Sequence, residues 1–223
     1  MPTVEIRRYS VPSDLTESQS SKADLLGAAI AFAKQANGPA HVAVGTIEGQ
    51  SGVQLIVEWK NDIKNVAQST LYITFESDLK KTLGQSTLLL QVPVAESIFG
   101  HGGPAEAAVV EFAHNQFPVS RATPEFKARV KSDFQKFDDT FKTTAHGGES
   151  WVADWLPGQR PHDAVTDELT ESFLVIRGYN SVKEYTDSIK GQGFKEGLPI
   201  LLAWKGHTTL VRHRAPWRSL SSR

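Results

Sequence analysis

The stretch that decides the fold is Leu55-Ile56-Val57-Glu58-Trp59-Lys60-Asn61, an apolar strand that runs into a polar pair. The same order of residue types returns at Phe173-Leu174-Val175-Ile176, followed by Gly178-Tyr179-Asn180. Val57 precedes Val175 by 118 positions, and Asn61 precedes Asn180 by 119. A period of this length is too long for a solenoid repeat and fits a duplicated domain. The sequence therefore predicts two related units.

Composition and charge exclude several classes of function. The chain has 223 residues, of which 39% are hydrophobic and 22% charged, as is typical of a folded globular protein. Because 24 Lys and Arg residues balance 25 Asp and Glu residues, neither a nucleic-acid surface nor a polybasic membrane patch is expected. The chain has no cysteine, which rules out disulfides, a thiolate nucleophile and cysteine-ligated metals.

The amino-terminal sequence and the hydropathy pattern predict a cytoplasmic protein. Residues 1–7 lack the apolar core of a signal peptide, and no run approaches the roughly 20 apolar residues of a membrane span. The expected partner is a small-molecule substrate, with no nucleic acid and no membrane. A homodimer of the whole chain is left open.

The first half, residues 1–95, reads as a βαββαβ unit. Ser21 is expected to cap the first helix, and Asn61 the second helix, which Gly84 follows. The apolar residues of the second helix recur about every four positions, as on the buried face of an amphipathic helix. Strands are predicted at residues 4–6, 41–47, 53–59 and 86–94.

The second half, residues 106–223, repeats this order after a glycine-rich linker at residues 96–105. Thr123-Pro124-Glu125 opens a helix with a cap, a first-position proline and a first-turn acid, and Ser181 caps the last long helix. Residues 156–171 are interpreted as a long loop. Strands are predicted at residues 107–114, 149–155, 172–179 and 207–214.

Each half therefore has the split-βαβ plan of a ferredoxin-like unit, an α+β fold with the first and third strands in the centre. The passage from Val57 to Asn61 and its echo from Val175 to Ser181 resemble the dimeric α+β barrel superfamily. This superfamily includes antibiotic-biosynthesis monooxygenase-like, stress-responsive barrel and polyketide-cyclase-like proteins. The resemblance implies a tandem pseudo-dimer within one chain, with a ligand between the helices and the sheet of a unit.

Strand directions predict a polar rim in the second half. His101 and His146, each followed by two glycines, precede its first and second strands. The third strand ends at Arg177 and Tyr179, and the fourth at His213, which is expected at the same end. Such a rim can bind an anionic or enolic substrate, with a histidine as acid or base. The alternative is that the glycines serve only turns.

Further candidates lie within the units. His114 and His207 lie on the first and last strands of the second half, and Tyr185 lies on its last helix. Tyr72 lies on the second helix of the first half, where cyclase-like relatives carry a histidine. The predicted catalytic set is His146, His213, His114, Tyr179 and Arg177, and the substrate-binding set is His101, His207, Trp151, Trp155, Tyr72 and Tyr185.

The sequence predicts neither a metal site nor a cofactor, since its histidines lack a chelating spacing. Haem occurs in some barrel relatives through a single histidine, which His114 or His207 could supply. Three functions are weighed on the resemblance. The first is a cofactor-independent cyclase, isomerase or lyase acting on a polyketide-like or otherwise enolisable, partly aromatic substrate in secondary metabolism. The others are a cofactor-free monooxygenase of a phenolic substrate and a non-catalytic ligand-binding barrel.

Overall fold

The computed structural model describes residues 2–10, 38–48, 52–60, 67–100, 102–145, 148, 150–214 and 220–221. The chain divides into two compact units. The first comprises Met1–Glu106 together with Arg212–Arg223, and the second Ala107–Val211. The sequence placed residues 106–223 in the second unit, so the two divisions differ in where the last residues belong.

The first unit is built on the strands β1 (Thr3–Ser10), β2 (His41–Ile47), β3 (Gly52–Trp59) and β4 (Leu88–Pro93). They lie in the order β4-β1-β3-β2, with each of these pairs antiparallel. The helix α1 (Thr70–Leu83) packs Tyr72 and Phe75 against β3. The helix that Ser21 is predicted to cap lies outside the described residues.

The start of α1 differs from the expectation. Asn61 lies outside the described residues, whereas residues 67–69 form a turn, so no continuous helix runs from Asn61 to Leu83. Ser69 is the cap, and its hydroxyl accepts a hydrogen bond from the Tyr72 N–H at 3.2 Å. Serine is a preferred capping residue because its oxygen binds a backbone N–H that has no partner within the helix.

The second unit contains the strands β5 (Val109–Pro118), β6 (Trp151–Trp155), β7 (Arg160–His162), β8 (Val165–Tyr179) and the first five residues of β9 (His207–Arg214), whose last three residues belong to the first unit. Its helices are α2 (Pro124–Lys142), α3 (Val182–Lys190) and α4 (Gln192–Leu202). The strand order β9-β5-β8-β6 has the same form as that of the first unit, with the first and third strands of the repeat in the centre. This order is the one that the split-βαβ plan produces.

Two segments of the second unit differ from the prediction. Within the expected loop 156–171, β7 pairs with the first part of β8. The expected last long helix is two helices, separated at Gly191, whose backbone is extended. The break lets α4 lie close to α2: a Cβ at Gly193 would lie 2.5 Å from the Thr140 carbonyl oxygen.

The core of the second unit forms where α2 meets the sheet. Phe126, Val130, Phe134, Phe137 and Phe141, which are three or four residues apart, are all buried on one face of this helix. The opposing strands contribute every second residue, because side chains alternate between the two faces of a sheet. The odd-numbered residues Phe173, Val175 and Tyr179 of β8 face the helices.

The predicted N-cap of α2 can be tested by mutation of Thr123. Thr123 accepts a hydrogen bond from the Phe126 N–H at 3.2 Å. We expect Thr123→Ala to lower the free energy of unfolding by about 1 kcal/mol, because the N–H loses its partner. Thr123→Ser keeps the hydroxyl and should retain most of the stability in urea unfolding. Equal losses in the two variants would contradict a capping role.

Candidate functional site

A cavity of about 590 Å³ lies within the second unit, between its helices and one face of its sheet. This volume is in the range of small-molecule binding sites. The lining is mostly aromatic and aliphatic, and includes Phe134, Phe137, Phe141, Tyr185, Phe194 and Trp204. Five side chains with polar groups interrupt it besides the two tyrosines, namely Glu111, Asn115, Arg177, Lys205 and Thr208. An apolar space with a few placed polar groups is typical of a binding site for a small organic molecule.

Arg177 is held rigidly in the wall of this cavity. Its Nη2 donates to Asp138 Oδ1 at 2.6 Å, and its Nη1 donates to the Gly148 carbonyl oxygen at 2.6 Å. Asp138 is fully buried and also pairs with Lys142 Nζ at 2.7 Å. The guanidinium carbon lies 4.7 Å from the centroid of the Phe141 ring. These contacts fix the guanidinium, which has five N–H donors in total, in one orientation.

Tyr179 lies beside Arg177 at the end of β8 and is 2% exposed. Its ring packs edge-on against Tyr185, with ring centroids 5.1 Å apart. Burial raises the pKa of Tyr179 well above its usual range, and the nearby Glu111 carboxylate raises it further. The hydroxyl therefore stays protonated at physiological pH and can act only as a hydrogen-bond donor or as an uncharged acceptor.

The backbone at position 148 passes so close to the Tyr179 ring that only a glycine fits there. Gly148 has a positive φ of 69°, and a Cβ there would lie 2.7 Å from Cε1 of the tyrosine ring. The same residue supplies the carbonyl oxygen that binds Arg177. One glycine of the sequence His146-Gly147-Gly148 thus contacts two residues of the cavity wall, whereas His146 lies outside the described residues.

Glu111 is a polar residue of the lining that the sequence did not predict, as are Asn115, Lys205 and Thr208. It lies on β5 directly opposite Arg177 on β8, in the same antiparallel register that pairs Val109 with Tyr179. Directly opposed side chains on one face of a sheet lie within contact distance. Glu111 is half-buried, and its carboxylate is close enough to Tyr179 to raise the pKa of that hydroxyl. A carboxylate, a fixed guanidinium and a protonated phenol therefore meet at one end of the cavity.

The other end of the cavity is more open. Thr208 donates to Asn115 Oδ1 at 2.8 Å, and Asn115 donates to the Phe173 carbonyl oxygen at 3.3 Å. Leu202 and Leu210, which also line the cavity, are 66% and 59% exposed. Because exposed apolar side chains edge the space here, we take this end as its entrance.

The predicted site residues separate into groups. Arg177, Tyr179 and Tyr185 line the cavity together. His114 is buried on β5 at an even position, as is Phe112, so it lies on the opposite face of the sheet from Glu111. His207 is exposed and stacks on His162, with ring centroids 5.4 Å apart. His101, His146 and the His213 side chain lie outside the described parts of the chain.

The two predicted tryptophans pack in the core rather than line the cavity. Trp151 lies edge-on against Phe134, with ring centroids 4.9 Å apart. Trp155 packs against Phe117 and Phe173, and its indole N–H donates to the Lys127 carbonyl oxygen at 3.3 Å. Trp151 therefore packs against an aromatic residue of the cavity wall, whereas the ring partners of Trp155 are not part of the described lining.

Tyr72 belongs to a buried polar cluster in the first unit. Its hydroxyl donates to Glu5 Oε2 at 2.7 Å and accepts from Arg7 Nη2 at 2.6 Å. Arg7 also pairs with Glu5 and with Glu76, at 2.5 and 2.7 Å. Burial raises the pKa of Tyr72, as does Glu5. The hydroxyl thus donates to one protein partner and accepts from another, and Tyr72 is not part of the described lining of the cavity.

The described residues offer no histidine for a haem or metal in the cavity. The described lining contains carboxylate, amide and guanidinium groups but no imidazole, and His114 and His207 lie at strand positions of the opposite parity. In the described part of the chain, no three His, Asp or Glu side chains converge as metal ligands. The histidine-ligated haem of some relatives therefore does not fit the described cavity. No helix among the described residues has the length and apolar character to span a membrane.

Comparison with known proteins identifies the fold. No protein-family model matches the sequence, and no curated protein sequence matches it. A solved, provisionally assigned monooxygenase from Fusobacterium nucleatum is similar with a TM-score of 0.60 at 9% identity, over 99% of this chain and 94% of that one. An anthrone oxidase-like protein is similar with a TM-score of 0.56 at 13% identity, over 99% of this chain and 93% of that one. A mutant chlorite dismutase from Candidatus Nitrospira defluvii is similar with a TM-score of 0.54 at 9% identity, over 96% of this chain and 92% of that one.

These three neighbours are 9–13% identical to this chain. Identities of this size establish similarity of fold and not of activity. Because the matches extend over nearly the whole of both chains, the likeness covers both units of this protein rather than one. The chain therefore shares the α+β fold of this group.

Proposed function

We propose that the second unit is the site of a small-molecule enzyme that removes a proton from an enolisable or phenolic, largely aromatic substrate. The observation that carries this proposal is the cross-strand pair of Glu111 and Arg177 beside Tyr179 in an aromatic cavity. A base next to a fixed cation can take a proton from carbon or oxygen while the cation stabilises the resulting oxyanion.

Each of the three polar groups has a distinct part in this chemistry. Glu111 is the proposed general base, since it is the carboxylate that lines the cavity. Arg177 is the proposed oxyanion donor, and its bonds to Asp138 and Gly148 fix it before the substrate binds, so little reorganisation is needed. Tyr179, which remains protonated, can donate a hydrogen bond that orients the Glu111 carboxylate. The aromatic wall supplies the binding energy and excludes water.

Proton removal is the first step of two different reactions. In an isomerase or cyclase, the enolate is reprotonated or attacks a second carbonyl group of the substrate. In a cofactor-free monooxygenase, the electron-rich anion reduces dioxygen instead. The similarity to an anthrone oxidase-like protein makes the second reaction a specific candidate. Anthrone is a suitable probe for both, because it is a tricyclic aromatic ketone that enolises to a phenol.

The primary experiment is hydrogen–deuterium exchange at the acidic CH₂ group of anthrone in D₂O without oxygen, followed by NMR. We expect the protein to accelerate exchange well above the buffer rate. Ala113→Phe is the matched control, because Ala113 lines the cavity and a larger side chain would fill it. Exchange at the buffer rate, with anthrone bound, would contradict the enzyme and indicate a ligand-binding protein.

Oxygen uptake then separates the two reactions. Oxidation of anthrone to anthraquinone consumes one O₂ and releases one water for each anthrone. We expect stoichiometric uptake if the protein is a monooxygenase of this kind. Exchange without uptake would favour the isomerase or cyclase reaction.

A further inference from the structure

Lys205 stands at the open end of the cavity. It lines the cavity, and its side chain is exposed, next to the exposed Leu202 in a predominantly apolar entrance. No ion pair of Lys205 with a carboxylate occurs in the described part of the chain. A cation at the edge of an apolar space attracts an anionic group more strongly than one surrounded by water.

The backbone of Lys205 adopts a conformation that favours glycine. Its φ is 49°, and among the described residues it is the single non-glycine residue with a positive φ. The left-handed region is unfavourable for a residue with a Cβ, and a helix end of this kind commonly has glycine. A lysine at this position is therefore less favourable for stability than a glycine, and it places a charged side chain at the entrance.

The neighbouring residues hold this turn in place. Arg121 donates to the carbonyl oxygens of Trp204 and Lys205 at 2.5 and 3.0 Å. Gly206 lies so close to Phe117 that a Cβ would be 2.6 Å from its ring. The position of the Lys205 backbone is thus determined from both sides, so its side chain always starts from the same point at the entrance.

The ammonium and the proposed base lie at opposite ends of the cavity. Glu111 and Asn115 are four residues apart on β5, which corresponds to about 14 Å at the rise of an antiparallel strand. Segment 204–208 contacts the far end of that strand, through the bond from Thr208 to Asn115 and through Gly206 on Phe117. A substrate of fused rings that spans this length brings one end to Glu111 and the other to Lys205.

We propose that Lys205 is a specificity-determining residue, and that the substrate carries a carboxylate at the end remote from its acidic proton. This inference rests on the proposed function, since it takes the Glu111 end as the reacting end. It narrows the substrate class from an apolar phenol or enol to an aromatic hydroxy- or keto-acid.

The test compares two probes that differ only in the remote group. The phenol 2-naphthol and its analogue 6-hydroxy-2-naphthoate share one ring system, and the second has a carboxylate at the opposite end. By calorimetry we expect the carboxylate probe to bind about three- to tenfold more tightly, with the advantage shrinking as salt is added. Lys205→Gln should abolish the advantage of the carboxylate probe over 2-naphthol, while Lys205→Arg should retain it.

Two controls distinguish specificity from charge or folding. Lys195→Gln removes the same charge from an exposed position of α4 and should change neither affinity. Lys205→Gly should raise the melting temperature by about 2–4 °C, because it relieves the left-handed backbone, and should still abolish the carboxylate advantage.

The possible results distinguish failure of the Lys205 inference from failure of the proposed function. Equal binding of both probes by the wild-type protein would overturn the inference and leave the proposed function standing. Retention of the carboxylate preference in Lys205→Gln would overturn it as well. If neither probe binds, the inference falls, and the exchange of anthrone decides the proposed function separately.

Discussion

Glu111→Gln is expected to slow the protein-dependent exchange of anthrone by about 10²- to 10⁴-fold, the contribution typical of a general base. The amide keeps the size of the side chain and can still hydrogen-bond Tyr179, but it cannot accept a proton at neutral pH. Anthrone affinity should change little, since the aromatic wall supplies most of the binding. Exchange followed by NMR under saturating anthrone measures the chemical step separately from binding.

A matched variant guards against an indirect effect. Glu196→Gln makes the same change on the exposed side of α4, away from the cavity lining, and should retain the wild-type rate. Tyr179→Phe should reduce the rate less than Glu111→Gln, because it removes only the group that orients the base. If Glu111→Gln exchanges anthrone at the wild-type rate, Glu111 is not the base.

Asp138→Ala is expected to lower the free energy of unfolding by about 3–5 kcal/mol, the loss typical of breaking a buried ion pair from one side. Asp138 is fully buried, and Arg177 is 3% exposed. The substitution leaves the guanidinium in the core without its carboxylate, whereas Lys142 can reach water. Urea unfolding monitored by tryptophan fluorescence measures the change.

Two further variants distinguish the loss of the ion pair from a general effect of substitution in this part of α2. Asp139→Ala changes the exposed neighbour on the same helix and should alter the stability by less than about 0.5 kcal/mol. The double variant Asp138→Leu/Arg177→Met removes both charges and should recover most of the loss, because apolar residues of similar size often replace a buried ion pair without penalty. The double variant should also no longer accelerate the exchange of anthrone. A loss below about 1 kcal/mol in Asp138→Ala would contradict the burial of the pair.

Local sequence signals predicted four strands in each half and most of the described helices, but not β7 or the helix break at Gly191. The strand order with the first and third strands in the centre is confirmed in both units. The cap at Thr123 is likewise present. The cap depends on spacing within one element, and the strand order follows from the order of the elements and from right-handed crossovers. The intramolecular pseudo-dimer stays a prediction.

The site was harder to predict, because its geometry depends on pairing between distant segments. Arg177 and Tyr179 were among the candidates, since they end a strand at the expected edge. Glu111 was not, although alternation along β5 places it on one face with Ala113 and Asn115. Deciding which face meets the helices requires the packed structure, and the same uncertainty applied to His114. Asp138 on α2 pairs with a residue 39 positions away, a contact that no local pattern indicates.

The return of the last residues to the first unit has a consequence for synthesis of the chain. Residues 213–214 of β9 and the short strand β10 (Leu220–Ser221) pair with β2, the outer strand of that unit. A ribosome adds about 5–20 residues per second, so residues 107–211 take on the order of 5–20 s to follow. During that interval the nascent first unit exposes the hydrogen-bonding edge of β2, which is the kind of surface that recruits neighbouring strands. The first unit to be translated is therefore the last to be completed.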